Sequence, residues 1–394
     1  QTVLITYIIY SILGVCVLGI LHSYVFYPAM LLLFANKKAN LGSIEGKEIK
    51  ENSTFKIGIL VAAYNEEKVI AQKLHSILNS DYPMNLVNVY IGSDASTDKT
   101  NSIVEQFART HKNIHLIIFL GRTGKAGIIN QLAEKCNDEV FILTDANVIF
   151  DKNTLKNLVK HFSDPKVHQV CSNIIKTSNS DVSIQPLEKN YLNLENKIKA
   201  LESNTWQLVI GAEGGCYAIR AEKYVPVPKN YFMDDFYITM GVINNGGKVL
   251  FETEAICFED LPSQSSEEFK RKVRISIGNF QNLSSYKHLL WPPWKAVAYA
   301  FFSHKVLRWI TPFLLFIIYG CSLYLALHSR IFLGLSVLQL FLFMLPLFIS
   351  TLNPIKPLLF IAHFYNMNYA LLKGFIMYSK GVRSSVWEPT KRNA

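Results

Sequence analysis

The sequence predicts an α/β fold, a mostly parallel sheet with flanking helices, joined to α-helical transmembrane and interfacial segments. Three observations carry this. From residue 55 onward, short apolar runs alternate with stretches of helical periodicity, the pattern of βαβ units. Residues 1–36, 309–328 and 331–355 contain no Asp, Glu, Lys or Arg. Runs of that length can cross a hydrocarbon core, which needs about 20 helical residues. Finally, Phe141-Ile142-Leu143-Thr144-Asp145-Ala146-Asn147 leads a β-prone run into a carboxylate, with a second oxygen ligand two positions later. Ligands of open α/β sheets bind beyond the carboxyl ends of strands, where a carboxylate reaches a divalent cation that can hold a diphosphate. A strand closing in an Asx turn explains the same residues, so the neighbouring segments decide.

At 394 residues, the chain has room for more than one structural unit. Its net charge of +10 comes without a recognisable basic, aromatic-interleaved nucleic-acid module. That excess suits anionic lipid headgroups, the positive-inside rule and an anionic substrate. Cys16, Cys136, Cys171, Cys216, Cys257 and Cys321 have neither metal-ligand nor redox spacing, as expected of small hydrophobes in a reducing compartment.

Residues 1–36 are expected to form an N-terminal transmembrane helix ending near Tyr27 and Pro28, with Met30 to Phe34 extending it or lying in the interface, and residues 37–54 a polar linker. A cleaved signal peptide is not expected, because the start is not basic and the apolar run is too long. Residues 55–260 are expected to form an α/β domain, with strands at 56–63, 86–91, 114–119 and 139–143 and helices at 66–78, 98–109 and 125–135. Right-handed crossovers put every strand-to-helix loop on one edge.

Those loops read Ala63-Tyr64-Asn65-Glu66-Glu67, Gly92-Ser93-Asp94-Ala95-Ser96-Thr97-Asp98, Gly121-Arg122-Thr123-Gly124-Lys125 and Asp145-Ala146-Asn147. Asn65 and Thr97 also suit helix N-caps. Capping does not explain why four loops on one edge gather carboxylates, small residues and cations. Carboxylates suit a uracil imide, ribose hydroxyls and a metal. Arg122 and Lys125 suit phosphate oxygens, aided by the dipole of the helix starting at Lys125. The combination fits a nucleoside diphosphate.

With these motifs in order, residues 55–260 resemble a family 2 glycosyltransferase of the GT-A nucleotide-diphospho-sugar fold. Ala62 to Glu67 match the family's first loop, Ser93 to Asp98 its D-x-S-x-D loop, and Gly124-Lys125 to Asn130 its G-K-x-x-A-L-N helix start. Asp145-Ala146-Asn147 stands at the family's Asp-x-Asp. The resemblance implies a UDP-sugar donor with Mg2+ or Mn2+, held by Ala63, Tyr64, Asn65, Glu66, Asp94, Arg122, Lys125 and Asp145. Asn147 departs from the pattern, since an amide is a weaker ligand for a hard cation. The metal, at Asp145 and Asn147, then rests more on Asp145 and the diphosphate.

Gly211-Ala212-Glu213-Gly214-Gly215 precedes a strand-like run, and in resembling enzymes the segment shapes the sugar and acceptor pocket, here Gly214 and Gly215. Phe232-Met233-Asp234-Asp235-Phe236 sets two acids in an apolar frame, costly if buried without partners. It resembles the family's Glu-Asp pair, whose general base falls on Asp235, with Asp234 beside it. The chemistry needs one such group, because an attacking hydroxyl must lose its proton. A helix N-cap at Asp234 is the plainer account.

Residues 261–308 are expected to be amphipathic interfacial helices. Phe269, Val273, Ile277 and Phe280 follow helical spacing, with Lys270, Arg271, Lys272 and Arg274 crowded beside them. Processive family members carry Gln-Gln/Arg-x-Arg-Trp here, then a Gly and a Gln. Arg274, Gly278 and Gln281 match, which implies a diphosphate contact for Arg274 and an acceptor-pocket place for Gln281. Ile275 replaces the Trp that would stack on the acceptor sugar, which speaks against long-chain processive synthesis.

A second interfacial helix is expected at 296–309, then C-terminal transmembrane or re-entrant helices over 309–379 and a basic tail at 380–394. With a cytoplasmic catalytic domain, three C-terminal crossings would leave that tail outside, against the positive-inside rule. Residues 357–379, with His363, Asn366, Asn368 and Lys373, are therefore expected to be re-entrant or interfacial.

The expectation is an integral membrane protein of a bacterial inner membrane, an inverting glycosyltransferase passing a sugar from a UDP-sugar to a glycan acceptor in surface or secreted polysaccharide synthesis. The alternative acceptor is a polyprenyl phosphate or other lipid-linked group. A non-catalytic export or assembly subunit would lack loop carboxylates, yet Asp94, Asp145 and Asp235 are all present.

Overall fold

The computed structural model describes residues 2–40, 54–177, 185–260, 265–349, 352 and 355–382. The linker residues 41–53 and the basic tail beyond 382 lie outside the described residues. By contacts the chain divides into two compact units, one built from residues 1–32 and 264–381, the other centred on residues 33–263.

The N-terminal run is one helix: α1 (Thr2–Leu21) passes through a π turn at His22–Phe26 into α2 (Tyr27–Asn40). It does not stop near Tyr27 and Pro28 but extends through Met30 to Phe34, the other course the sequence allowed. Proline lacks an N–H and its ring crowds the carbonyl four residues back. The widened turn, in which Tyr27 N–H reaches the His22 carbonyl, makes room for that ring.

The sheet domain opens with β1 (Ile57–Ala63), α3 (Ile70–Leu78), β2 (Val87–Asp94), α4 (Thr100–Thr110), β3 (Ile114–Phe119), α5 (Lys125–Lys135) and β4 (Val140–Thr144). Helix α3 starts four residues later than its periodicity suggested, because Glu66 to Val69 form a turn closed by Val69 N–H on the Glu66 carbonyl. Strand β2 runs on through Gly92, Ser93 and Asp94, so it delivers its carboxylate directly to the edge. Helix α5 can lie close on β2 because residue 92 is glycine: a Cβ there would sit 2.3 Å from the Ile128 side chain.

The second half contributes β5 (Ile149–Phe150), α6 (Thr154–Val159), β6 (Val167–Thr177), α7 (Gln185–Trp206), β7 (Cys216–Arg220), α8 (Asp234–Asn244) and β8 (Lys248–Asp260). Eight strands form one sheet in the order β3-β2-β1-β4-β7-β6-β8-β5. The β3-β2-β1-β4 half is parallel. Strand β7 runs antiparallel to both β4 and β6, and β5 antiparallel to β8, while β6 and β8 are parallel. The sheet is thus mixed, its parallel half being the half whose βαβ repeats were visible in the sequence. Ile57, Ile59, Val61, Val89, Ile91 and Ile142 are fully buried within it.

The other unit continues with α9 (Ser265–Tyr286), α10 (Ala296–Ala300), a π turn at Phe301–Val306, α11 (Leu307–Ala326), α12 (Arg330–Met344) and α13 (Lys356–Ser379). Residues 296–326 form one helical run that continues through the π turn and past Pro312, not an interfacial helix followed by a separate span. Among the described residues three helices are long and apolar enough to cross a membrane, at Val3–Phe34, Ala296–Ala326 and Arg330–Phe348. Helix α13 is unbroken and falls outside that group. It receives the apolar stripe of α9: Phe280 and Phe375 meet at 4.9 Å, and Ser276 Oγ donates to the Leu371 carbonyl at 2.7 Å. A Cβ on Gly374 would sit 2.3 Å from Ser276, so glycine sets this close approach.

Candidate active site

Register places the loops together. Ala63 of β1 pairs with Ser93 of β2, and Thr144 of β4 pairs with Cys216, the first residue of antiparallel β7. The strand ends at Ala63, Asp94 and Thr144 and the segment before Cys216 therefore share one sheet edge, the edge at which α/β sheets bind ligands. Asp145 N–H donates to the Gly215 carbonyl at 3.1 Å, tying the Asp145 loop to the glycine loop.

The first two loops are laced together. Asn65 Oδ1 accepts from Thr97 N–H at 2.8 Å, and Glu66 N–H donates to Thr100 Oγ1 at 2.8 Å. Asn65 and Thr97 are thus not N-caps, because α3 and α4 begin later, at Ile70 and Thr100. The buried Asp94 carboxylate accepts from Thr123 N–H at 2.6 Å, Gly124 N–H at 3.1 Å and Arg122 Nε at 3.2 Å. It holds the 122–124 turn at the start of α5. The Arg122 guanidinium in turn lies 3.3 Å from the centroid of the Tyr64 ring. Ala63, Tyr64, Asn65, Glu66, Asp94 and Arg122 are thereby one connected wall of the edge.

Lys125, at the first turn of α5, is the hub. Its ammonium is 2.7 Å from Asp145 Oδ1, 3.6 Å from Asp234 Oδ2 and 3.4 Å from the Gly214 carbonyl. Burial pulls this amine down, but Asp145, Asp234 and Asp235 outweigh it and hold the ammonium well above the usual lysine range. Asp234 and Asp235 open α8 and are both 7% exposed, where the positive end of the helix favours acids. Gly214 packs against the second of them: a Cβ at Gly214 would lie 2.8 Å from Asp235 Oδ2. Burial first, and the Asp234 carboxylate second, push Asp235 up to about 7, with Lys125 pulling the other way. A carboxyl poised near neutrality can take a proton at physiological pH.

Asn147 Nδ2 donates to Glu259 Oε1 at 3.4 Å. Glu259 is also paired with the buried Lys176, which reaches Glu213 at 3.1 Å, and Lys199 closes the network on Glu213 at 3.2 Å. None of these four was legible as a site residue, since they come from β6, α7, β8 and the glycine loop. Lys73 was missed too, although a signal existed: it shares the α3 face of Ile70, Leu74 and Ile77, where an apolar residue was expected. Arg274 and Gln281 lie on α9, which belongs to the other unit.

No group of three or more His, Cys, Asp or Glu side chains is arranged to hold a metal among the described residues. The donor chemistry nevertheless fits a cation shared with a substrate. Mg2+ is commonly held by one or two carboxylates with phosphate oxygens and water completing its shell. Asp145 offers a carboxylate that is 35% exposed, and Asn147, with its amide nitrogen committed to Glu259, keeps a carbonyl oxygen as acceptor.

The sequence profile of the Glycosyl transferase family 2 matches residues 58–225. A beta-monoglucosyldiacylglycerol synthase from Nostoc sp. is 33% identical over 126 residues, 32% of this chain and 27% of that protein. A poly-beta-1,6-N-acetyl-D-glucosamine synthase from Staphylococcus epidermidis is 24% identical over 234 residues, 58% of this chain and 55% of that one. The chain thus spans between about a quarter and about half of the length of these curated relatives. Among solved structures, a mannosyltransferase from Pyrobaculum calidifontis in complex with GDP-Man and Mn2+ superposes with a TM-score of 0.69 at 19% identity, covering 93% of this chain and 99% of that one. At that identity the likeness speaks to fold, and the fold it shares is GT-A. Residues 58–225 of this chain therefore match the glycosyl transferase family 2 model, on a GT-A-like fold.

Proposed function

We propose that this chain is a membrane-embedded, inverting glycosyltransferase that passes a sugar from a UDP-sugar to a glycan acceptor in surface or secreted polysaccharide synthesis. The observation that carries this is the placing of Asp235, buried and pushed up to about 7, on the same edge as the Lys125–Asp145 pair. In the step, Asp235 accepts the proton of the acceptor hydroxyl while the hydroxyl oxygen bonds to the anomeric carbon. The bond from that carbon to the diphosphate oxygen breaks, and its electron pair leaves with UDP. Attack opposite the departing diphosphate inverts the anomeric centre. Lys125 and Arg122 bind diphosphate oxygens, Asp94 with Ala63, Tyr64, Asn65 and Glu66 forms the nucleoside wall, and Asp234 with Gly214 and Gly215 borders the sugar and acceptor. Asp145 and Asn147 would hold Mg2+ or Mn2+, which supplies charge neutralisation at the leaving diphosphate.

Three helices long and apolar enough to cross a membrane support an integral membrane protein, which we place in a bacterial inner membrane with the sheet domain on the cytoplasmic side. A second acceptor reading, single-sugar transfer to a lipid or lipid-linked group, is favoured by the 33% identity to a protein named a monoglucosyldiacylglycerol synthase. The deciding experiment incubates the detergent-purified chain with a panel of radiolabelled UDP-sugars and GDP-mannose, plus Mg2+ or Mn2+. A product ladder supports a glycan acceptor and a butanol-soluble product a lipid one. Absence of any turnover, hydrolysis included, would count against the enzyme. Asp235→Asn is expected to abolish transfer and to keep UDP binding; normal transfer by that variant removes Asp235 as the base.

A further inference from the structure

We propose that Lys73, remote in sequence from every motif of the site, is a positioning residue that clamps both ends of the Asp145-Ala146-Asn147 loop. It lies on the buried face of α3 and is 0% exposed, like its neighbours Ile70, Leu74 and Ile77. An ammonium in such a place is costly unless hydrogen-bonded. Its two bonds go to Thr144 Oγ1 at 2.8 Å and to the Val148 carbonyl at 2.5 Å, and its charge sits 3.5 Å from the centroid of the Phe150 ring.

Those two acceptors are the residues immediately before and after the loop. One cation therefore spans Asp145, Ala146 and Asn147 from beneath. Thr144 carries the restraint further, because its hydroxyl donates to the Gly215 carbonyl at 2.8 Å, the same carbonyl that receives Asp145 N–H. Within the loop, Val148 N–H donates to the Asp145 carbonyl at 3.2 Å, so both ends of the turn are bonded to each other and to the lysine. Lys73 thus coordinates the backbone that aims the Asp145 and Asn147 oxygens and, through Thr144, the glycine loop facing Asp235.

A merely cementing role makes a different forecast. Methionine leaves the Thr144 hydroxyl and the Val148 carbonyl without their donor, so Lys73→Met costs stability whatever the lysine does for the site. A lysine retained only for packing would lose that stability with nucleotide affinity and donor KM unmoved in the folded protein. A lysine that fixes loop geometry would move both, because outer partners of ligating groups typically cost about 10- to 100-fold when removed.

The inference rests on the nucleotide-sugar reading of this edge, and its test separates the two. The wild-type 394-residue chain, Lys73→Met, Thr144→Val and the double variant are purified in detergent. UDP and GDP binding with Mn2+ is measured by calorimetry, and donor and acceptor KM and kcat by turnover. We expect Lys73→Met to remain folded, to weaken nucleoside diphosphate binding and raise donor KM by roughly tenfold or more, and to leave acceptor KM unchanged. Thr144→Val should move the same parameters less, and the double variant should fall short of the sum, because the two residues share one bond. Wild-type binding with unaltered binding by Lys73→Met overturns the clamp. If Lys73→Met does not fold, an unaltered donor KM in Thr144→Val overturns it equally. Failure of wild type to bind either nucleotide instead overturns the reading of the site, and the clamp with it.

Discussion

The Lys125 ammonium lies 2.7 Å from Asp145 Oδ1 and 3.6 Å from Asp234 Oδ2, so one side chain joins the loop after β4 to the start of α8. The pairing organises the whole edge: it screens three carboxylates from one another, and it presents a cation where the proposed donor's diphosphate would arrive.

Lys125→Met should therefore reduce kcat/KM by roughly a hundredfold or more, the scale on which loss of one preorganised charge contact is felt. It should also shift the pH profile. Lys125 pulls Asp235 down, so its removal raises that carboxyl further and moves the acid limb of the rate profile to higher pH. An acid limb at the wild-type position in the variant would separate Lys125 from the base.

The wild-type profile has its own signature. With Asp235 pushed up to about 7 by burial and by Asp234, activity should rise as pH increases through about 7. Stability should run the other way for this group. A carboxyl raised in the folded state favours folding below its unfolded value and loses that contribution as pH climbs through 7. Thermal melts at pH 8 should accordingly find Asp235→Asn at least as stable as wild type, although inactive.

Gly214 sets the space beside Asp235, the proposed base. A methyl group there would come within 2.8 Å of Asp235 Oδ2 and 3.4 Å of Lys125 Nζ. Gly214→Ala should thus displace the carboxylate and slow transfer by roughly tenfold or more, since small misplacements at a reacting centre are costly. Nucleotide affinity should change less than kcat, which paired binding and rate measurements would reveal.

Ala95 occupies the left-handed region at φ 58° in the turn after Asp94. A Cβ there costs on the order of 1 kcal/mol. Ala95→Gly should raise stability by up to about that amount, less the extra flexibility that glycine gives the unfolded chain. Chemical denaturation with an unchanged m-value would establish it.

The β1 to β4 half and its loop carboxylates were readable because βαβ repeats and strand-end loops have local signatures: apolar runs, helical period and polar turns. Asp94, Lys125 and Asp145 could be named from those alone, whereas Asp235 was named through the resemblance of its acidic pair to the family's. The network of Glu259, Lys176, Glu213 and Lys199 could not, since its members meet only after β6, β7 and β8 pair across long sequence separations. Strand direction is likewise silent in a short apolar run, so the antiparallel entry of β7 that brings Gly214 and Gly215 to Thr144 had no local sign.

By itself the sequence determined which residue types reach the edge and which helices are apolar enough for a membrane, because these follow from periodicity and composition. The tertiary structure decided how they act on one another. It placed Lys125 among three acids, buried Asp235 against a glycine, turned Asn147 toward Glu259 and set Lys73 beneath the loop. Burial and distance determine proton affinity and aim, and both arise only when the chain has packed.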